Sequence, residues 1–325
     1  MSRARNCCDG PSAGMGRLRA VFFGTPEWAV PSLRALLDAG IEVPAVVTNP
    51  DRPAGRGMQL RASPVKEIAL QAGLPVLQPQ RARDESFVAA LRDLGPDVAV
   101  VVAYGKILPL EVLEVPPLGF VNVHFSLLPE YRGAAPVQRA IIDGAFETGI
   151  TIMVLTEGMD EGPVLAERRV AIDPEDTAGT LGARLADVGA ELLAETLPAY
   201  AEGRVTAREQ DHDRATYAPK ITDEDAHIRW DRPAADIRNL LRGLNPDPGA
   251  WTTVSGKRVK VFGAQAVDGP NDLVPGRVIA TKEGLLIGTI DQPLLLTDVQ
   301  VEGKRRMAGA DAARGMRLDE HAMAV

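Results

Sequence analysis

Residues 121–133 read V-N-V-H-F-S-L-L-P-E-Y-R-G. Phe120, Val121 and Val123 are strand formers, and Gly119 supplies a turn just before them. On a strand, alternate residues share a face, so Asn122 and His124 point the same way while the valines point the other. One face therefore carries an amide and an imidazole two positions apart. An amide N–H can donate to a developing oxyanion, and an imidazole exchanges protons near neutral pH. Ser126-Leu127-Leu128-Pro129 then leaves the strand as a stiff, mostly apolar turn. A satisfied polar pair at a strand end is the plain reading of such a histidine. Against it stands a second feature, the acidic, glycine-bracketed loop Thr156–Pro163, which can bring Asp160 toward His124.

Working outward, the apolar run Val98–Ala103 suits a strand buried on both faces. Leu18–Phe23 is a first strand, ending in Gly24-Thr25-Pro26-Glu27. Thr25 has the chemistry of an N-cap and Pro26 that of a first helical residue, so a helix is expected from there to about Asp38. Ile41–Thr48 follows as a strand, which makes a right-handed βαβ unit. One glycine in the first turn, where three are needed, excludes a dinucleotide-binding fingerprint. Further strands at 74–77 and 97–103 complete a Rossmann-like open, mostly parallel sheet with helices on both faces. Ligands of such sheets sit beyond the carboxyl ends of the strands, where Tyr104–Pro109 and Asn122–Pro129 would lie.

Residues 49–63 are expected to be an irregular loop, since prolines and glycines interrupt them. They carry Arg52, Arg56 and Arg61 against Asp51, and form either a solvated loop or an arm that reaches phosphates. Later strands at 148–155 and 164–172 precede a long helix, capped by Asp176 or Thr177 and ending near Glu202. Arg204–Ile221 reads as a linker. Beyond it, a short helix at 234–243 is followed by five short strands between 251 and 301, the pattern of a small β-barrel. The expected division is a disordered leader at 1–16, a catalytic domain at 17–205, a linker at 206–222 and a barrel domain at 223–325. Met15 is the expected start if the leader is not native.

The 325 residues are 45% hydrophobic and 25% charged, as in ordinary soluble globular proteins. A net charge of −8 argues against a general nucleic-acid binder. The acid excess falls in the first 250 residues, and basic clusters recur at 257–260 and 304–306. The two cysteines, Cys7 and Cys8, are adjacent and fit neither a disulfide framework nor metal-ligand spacing. With no long apolar run and no secretory signal, the expected location is the cytoplasm, away from membranes.

Asn122, His124 and Asp160 suit acyl transfer to an amine. Negative charge develops on a carbonyl oxygen and a leaving nitrogen must gain a proton. No serine or cysteine nucleophile motif is present, so direct transfer is expected. N-V-H-x-S-L-L-P with Y-R-G-A-A-P, and Asp160 in M-D-E-G, resembles the catalytic signature of the 10-formyltetrahydrofolate-dependent formyltransferases. F-x-G-T-P, P-D-R-P-A-G-R-G, V-V-A-Y-G and E-T-G-I-T-I-M extend the likeness to members that act on initiator methionyl-tRNA, from Arg17 to the end and thinnest after Gly303.

The resemblance implies that Asn122, His124 and Asp160 are catalytic. It implies that Ser126, Leu127, Leu128 and Pro129 bind the folate, with Tyr104 and Ile107 extending that pocket. It makes 10-formyltetrahydrofolate the co-substrate; no metal is expected, and the expected state is a monomer. It also implies that the arginine loop, with Arg52 and Arg56, reaches the acceptor end of the tRNA. The barrel becomes an oligonucleotide-binding-fold domain that uses Lys257, Arg258 and Lys260. Pro163 departs from the family, where many members carry Asp, and stiffens the Asp160 loop. Two alternatives stay open: formyl transfer to a small amine such as a glycinamide ribonucleotide or amino-sugar nucleotide, and a non-catalytic folate- or nucleotide-binding regulator.

Overall fold

The computed structural model describes residues 17–54, 59–270, 273–316, 318–319 and 321–325; the leader at 1–16 lies outside them. Strand β1, Ala20–Gly24, is buried throughout. A 3-10 turn over Glu27–Ala29 leads into helix α1, Val30–Asp38, so the helix starts later than expected. Thr25 does not cap it. Its Oγ1 instead accepts hydrogen bonds from the backbone and side-chain amides of Asn49, at 3.3 and 3.0 Å. Strand β2 is only Val46–Val47, because Pro44 lacks the N–H a longer ladder needs.

The arm between 49 and 63 is not wholly irregular. Strands β3, Arg52–Ala54, and β4, Gln59–Arg61, pair antiparallel in a two-stranded sheet of their own. Both are edge strands, where Pro53 is tolerated. Helix α2, Pro64–Gln71, is capped by Ser63, whose Oγ accepts from Lys66 N at 3.1 Å. There follow β5 (Val76–Leu77), α3 (Glu85–Asp93), β6 (Val98–Val102), α4 (Leu110–Leu113), β7 (Phe120–His124), α5 (Pro136–Ile142), β8 (Glu147–Val154), β9 (Val164–Ala171) and α6 (Ala178–Ala201).

The sheet runs β5-β2-β1-β6-β7-β8-β9. Pairings up to β7 are parallel, and those of β7 with β8 and β8 with β9 are antiparallel. One face packs on α1, α2, α5 and α6, the other on α3 and α4. Glycines bring α6 close to the sheet: a Cβ at Gly189 would lie 2.9 Å from Val123 Cγ1, and one at Gly182 only 2.1 Å from Trp28 Cζ2. Trp28 in turn stacks on Phe125, with centroids 5.9 Å apart. The long helix thus fixes the chain where it leaves β7.

Residues 204–221 are irregular but not loose. Val164 and Arg208 exchange both backbone hydrogen bonds, at 2.7 and 2.8 Å, and Ala218 N donates to Arg132 O at 2.7 Å. The C-terminal part has its own core. It comprises α7 (Ala234–Gly243), β10 (Ala250–Val254), β11 (Lys257–Ala266), β12 (Val278–Ala280), β13 (Leu285–Ile287), β14 (Leu294–Val301), β15 (Met307–Ala308) and α8 (Gly309–Gly315). The antiparallel half-barrel runs β10-β11-β14-β13-β12, with β15 beside β14. Its two edges are bridged by the last residues: Val325 exchanges hydrogen bonds with Thr253, while Ala324 N donates to Gly276 O and Val278 N to Ala322 O. The two cores are tied by Arg139–Asp225 at 3.0 Å and by Arg242 Nη1, which donates to the carbonyls of Asp173 and Asp176. No helix among the described residues is long and apolar enough to cross a membrane.

Gly182→Ala is expected to overpack the Trp28 contact at a cost of about 1–3 kcal/mol. Thermal unfolding should register a lower midpoint. Gly315→Ala, whose Cβ meets nothing within 4 Å, should not lower it.

Candidate active site

β7 is hydrogen-bonded to β6 on one side and β8 on the other, with Asn122 opposite Val101 and Met153, and His124 opposite Thr151. Asn122 and His124 are 8% and 5% exposed, on the face away from Val121 and Val123. His124 Nε2 lies 3.0 Å from Tyr131 O. A carbonyl only accepts, so Nε2 carries a proton and donates. In the neutral ring this leaves the lone pair on Nδ1, which faces Asp160 Oδ2 at 3.7 Å. A proton taken up on Nδ1 is then met by a carboxylate. Asp160 sits between β8 and β9 with φ +51°, and its Oδ2 accepts from Gly133 N at 2.8 Å. The Asn122 side chain has no hydrogen-bond partner among the described residues, so its amide can serve a ligand.

The S-L-L-P turn is pinned from β8. Thr151 Oγ1 donates to Ser126 O at 2.7 Å and accepts from Leu128 N at 3.0 Å. Ser126 is fully buried and its hydroxyl donates to Glu130 O at 2.6 Å, so this side chain holds the turn together. A Cβ at Gly149 would come within 2.5 Å of Leu127 Cδ2 and 2.3 Å of Arg168 O; only glycine leaves Leu127 its seat. Gly149 and Thr151 carry no chemistry of their own and escaped the sequence reading. Their signal was E-T-G-I-T on the strand beside His124.

Tyr104 turns into the core. It is 2% exposed, its ring meets Phe23 edge-on at 5.4 Å, and burial pushes its phenol up to about 12. Its carbonyl accepts from Asn49 Nδ2 at 2.7 Å, and its hydroxyl is buried without a partner among the described residues. Ile107, by contrast, is 90% exposed just past β6. A cleft of about 680 Å³ bordered by Leu127, Pro129, Phe146, Arg169 and Arg208 is not lined by Asn122, His124 or Asp160.

The arm has a firm base. Asp51 accepts from Lys66 Nζ at 2.6 Å and from Gln78 Nε2 at 2.8 Å, and these bonds hold its carboxyl below the usual range. Arg52 and Arg61 are exposed, while Arg56 lies outside the described residues. On the barrel, Lys257 is exposed. Arg258 is ion-paired with Asp223 and lies 3.9 Å over the Trp251 ring, and Lys260 Nζ donates to Pro248 O at 2.7 Å. Two of the three basic residues expected to be available are therefore already engaged within the protein.

The chain thus combines a mixed Rossmann-like sheet, which carries an amide, an imidazole and a carboxylate close together, with a half-barrel that has its own core. The family described as "Formyl transferase" matches residues 18–197, and "Formyl transferase, C-terminal domain" matches residues 220–317. The methionyl-tRNA formyltransferase of Caldanaerobacter subterraneus subsp. tengcongensis is 47% identical over 304 residues, 93% of this chain and 98% of its own length. That of Streptomyces griseus subsp. griseus is 48% identical over 302 residues, 93% and 97% of the two chains. The chain belongs to the formyl transferase family and, within it, to the methionyl-tRNA formyltransferases.

Solved structures share the fold. HypX from Aquifex aeolicus in complex with tetrahydrofolic acid has a TM-score of 0.66 at 19% identity over 91% of this chain, which spans 47% of HypX. The N-formyltransferase from Helicobacter canadensis, in complex with folinic acid and dTDP-3-aminofucose, has a TM-score of 0.63 at 17% identity, over 86% of this chain and 99% of its own.

Thr151→Val removes both bonds that pin the S-L-L-P turn and leaves a buried amide and carbonyl unpaired, at about 1–3 kcal/mol each. Thermal unfolding should register a lower midpoint.

Proposed function

We propose that the chain transfers the formyl group of 10-formyltetrahydrofolate to the α-amino group of methionine on initiator methionyl-tRNA, giving formylmethionyl-tRNA for translation initiation. The observation that carries this reading is the state of His124: Nε2 is committed to Tyr131 O, and Nδ1 faces Asp160 two strand positions from Asn122.

The amine nitrogen attacks the formyl carbon, and charge collects on the formyl oxygen. Asn122 donates to that oxygen, an effect of about 10²–10³ in rate. His124 takes the amine proton on Nδ1 and returns it to the folate nitrogen as the carbon–nitrogen bond breaks, worth about 10²–10⁴. Asp160 faces the imidazolium while it exists. Leu127, Leu128 and Pro129 offer an apolar wall to the folate, with Ile107 nearby. Ser126 supports the turn.

The arm on its Asp51–Lys66 base carries Arg52 and Arg56 to the acceptor end of the tRNA. Of the three barrel residues, Lys257 is exposed, while Arg258 and Lys260 must exchange their present partners to contact phosphate. This reading divides the chain into catalytic residues 17–205, connecting residues 206–222 and a tRNA-binding domain at 223–325, working as a monomer in the cytoplasm.

The test is a formyl-transfer assay with initiator methionyl-tRNA, elongator methionyl-tRNA and a glycinamide ribonucleotide in parallel. Transfer to the initiator tRNA alone is expected; transfer to the small amine would keep the chemistry and overturn the tRNA assignment. His124→Ala should lower kcat by about 10²–10⁴ with tetrahydrofolate still bound, and retained activity would remove the histidine from the mechanism. Arg56→Ala should raise KM for tRNA and leave that for the folate unchanged. Equal changes in both would make the arm a structural element.

A further inference from the structure

Arg132 is among the largest fully buried side chains, at 2% exposure, and no step above uses it. Its Nε and Nη2 donate to Gln210 Oε1, at 3.2 and 2.7 Å. Nη2 also lies 3.1 Å from His212 Nδ1, and Nη1 stands 3.8 Å from Glu161 Oε2. Gln210, 7% exposed, gives both protons of its amide to carbonyls of the Asp160 loop: Asp160 O at 2.9 Å and Gly162 O at 2.7 Å. The amide orientation is therefore fixed. A guanidinium can only donate, so the oxygen must face it, and two carbonyls can only accept, so the nitrogen must face them.

The same segment holds the other end of Asp160. The carboxylate is bonded by Gly133 N. Around that amide, Arg132 N donates to Thr216 O at 2.9 Å, Ala218 N to Arg132 O at 2.7 Å and Ala135 N to Ala218 O at 3.1 Å. Gly133 itself has φ +115°, and a Cβ there would fall 2.9 Å from Ala218 O. Residues 208–218 thus fix Asp160 twice, at its carbonyl through Gln210 and at its carboxylate through the backbone of Gly133. Asp160 has a φ of +51°, in the left-handed region that is uncommon for a non-glycine residue though open to aspartate, and these bonds hold it there.

We infer that Gln210 and Arg132 are positioning residues for Asp160, and that the segment joining the two domains is a working part of the catalytic site. Neither touches the reacting atoms; they set where the carboxylate meets His124. The inference rests on the formyl-transfer reading for its kinetic test and on geometry alone for its spectroscopic one.

Gln210→Glu in the full-length chain is the informative change. A carboxylate of the same shape still pairs with Arg132 but cannot donate to Asp160 O and Gly162 O. Expected is a fall in kcat of roughly 10- to 100-fold, with KM for tRNA and for folate each within about twofold of wild type. By NMR, the Gly133 amide proton, now bonded to a carboxylate, should shift upfield. The double variant Arg132→Met/Gln210→Met removes the buried charge together with its acceptor and serves if Gln210→Glu does not fold; the same two readouts apply. Unchanged kcat, or an unmoved Gly133 amide in a folded variant, would overturn the inference, as would KM values rising in step with a fall in kcat. The amide measurement needs no turnover. Absence of transfer by the wild type would count against the proposed function, and an unmoved amide against the positioning role.

Discussion

The hydrogen bond from Gly133 N to Asp160 Oδ2 joins the two loops that form the site. One loop follows β7 and carries the S-L-L-P turn; the other follows β8 and carries Asp160. Nothing in β-sheet pairing brings these loops to each other, since they belong to different strand ends. A charge-assisted bond to a backbone N–H does so with directional precision. His124 lies between them, bonded to Tyr131 on one loop and facing Asp160 on the other. Were the bond absent, the imidazole would keep its donor bond while the carboxylate that faces its Nδ1 lost one of its two tethers.

The rest of the fold supports that bond by rigidity. β6 and β7 are buried at every residue, so a shift of register would expose valines to polar surroundings and bury amide and imidazole in the core. α6 presses on β7 at Gly189, and Trp28 presses on Phe125. Thr151 spends its hydroxyl on two backbone groups of the turn. These contacts leave the face that carries Asn122 and His124 short of conformational alternatives, as the direct transfer proposed above would require.

Local patterns were legible from residue order. The alternation of Val121, Asn122, Val123 and His124 and the bounds of α7 at Ala234 and Gly243 follow from chemistry within a few positions. What escaped depends on partners far along the chain. Thr25 looks like a helix cap until Asn49 claims it. Tyr104 looks like a pocket residue until Phe23 and Phe120 form the core around it. The β3–β4 ribbon hides behind prolines because a free edge strand tolerates them. Arg132 and Gln210 are 78 residues apart, and neither position by itself suggests burial. The half-barrel strands were countable, but not that residues 322–325 bridge their edges.

The course of residues 208–218 bears on how such a protein can be divided and recombined. The hydrophobic cores part company near residue 220, and the family descriptions divide there too. A chimaera that takes its barrel from another relative, joined at the end of the long helix, would import a foreign strap and with it foreign partners for Arg132, Gly133 and Asp160. Joined after Ala218, it would keep the strap native and exchange only the barrel. On that inference the crossover point belongs after Ala218 and not at Ala201, where α6 ends.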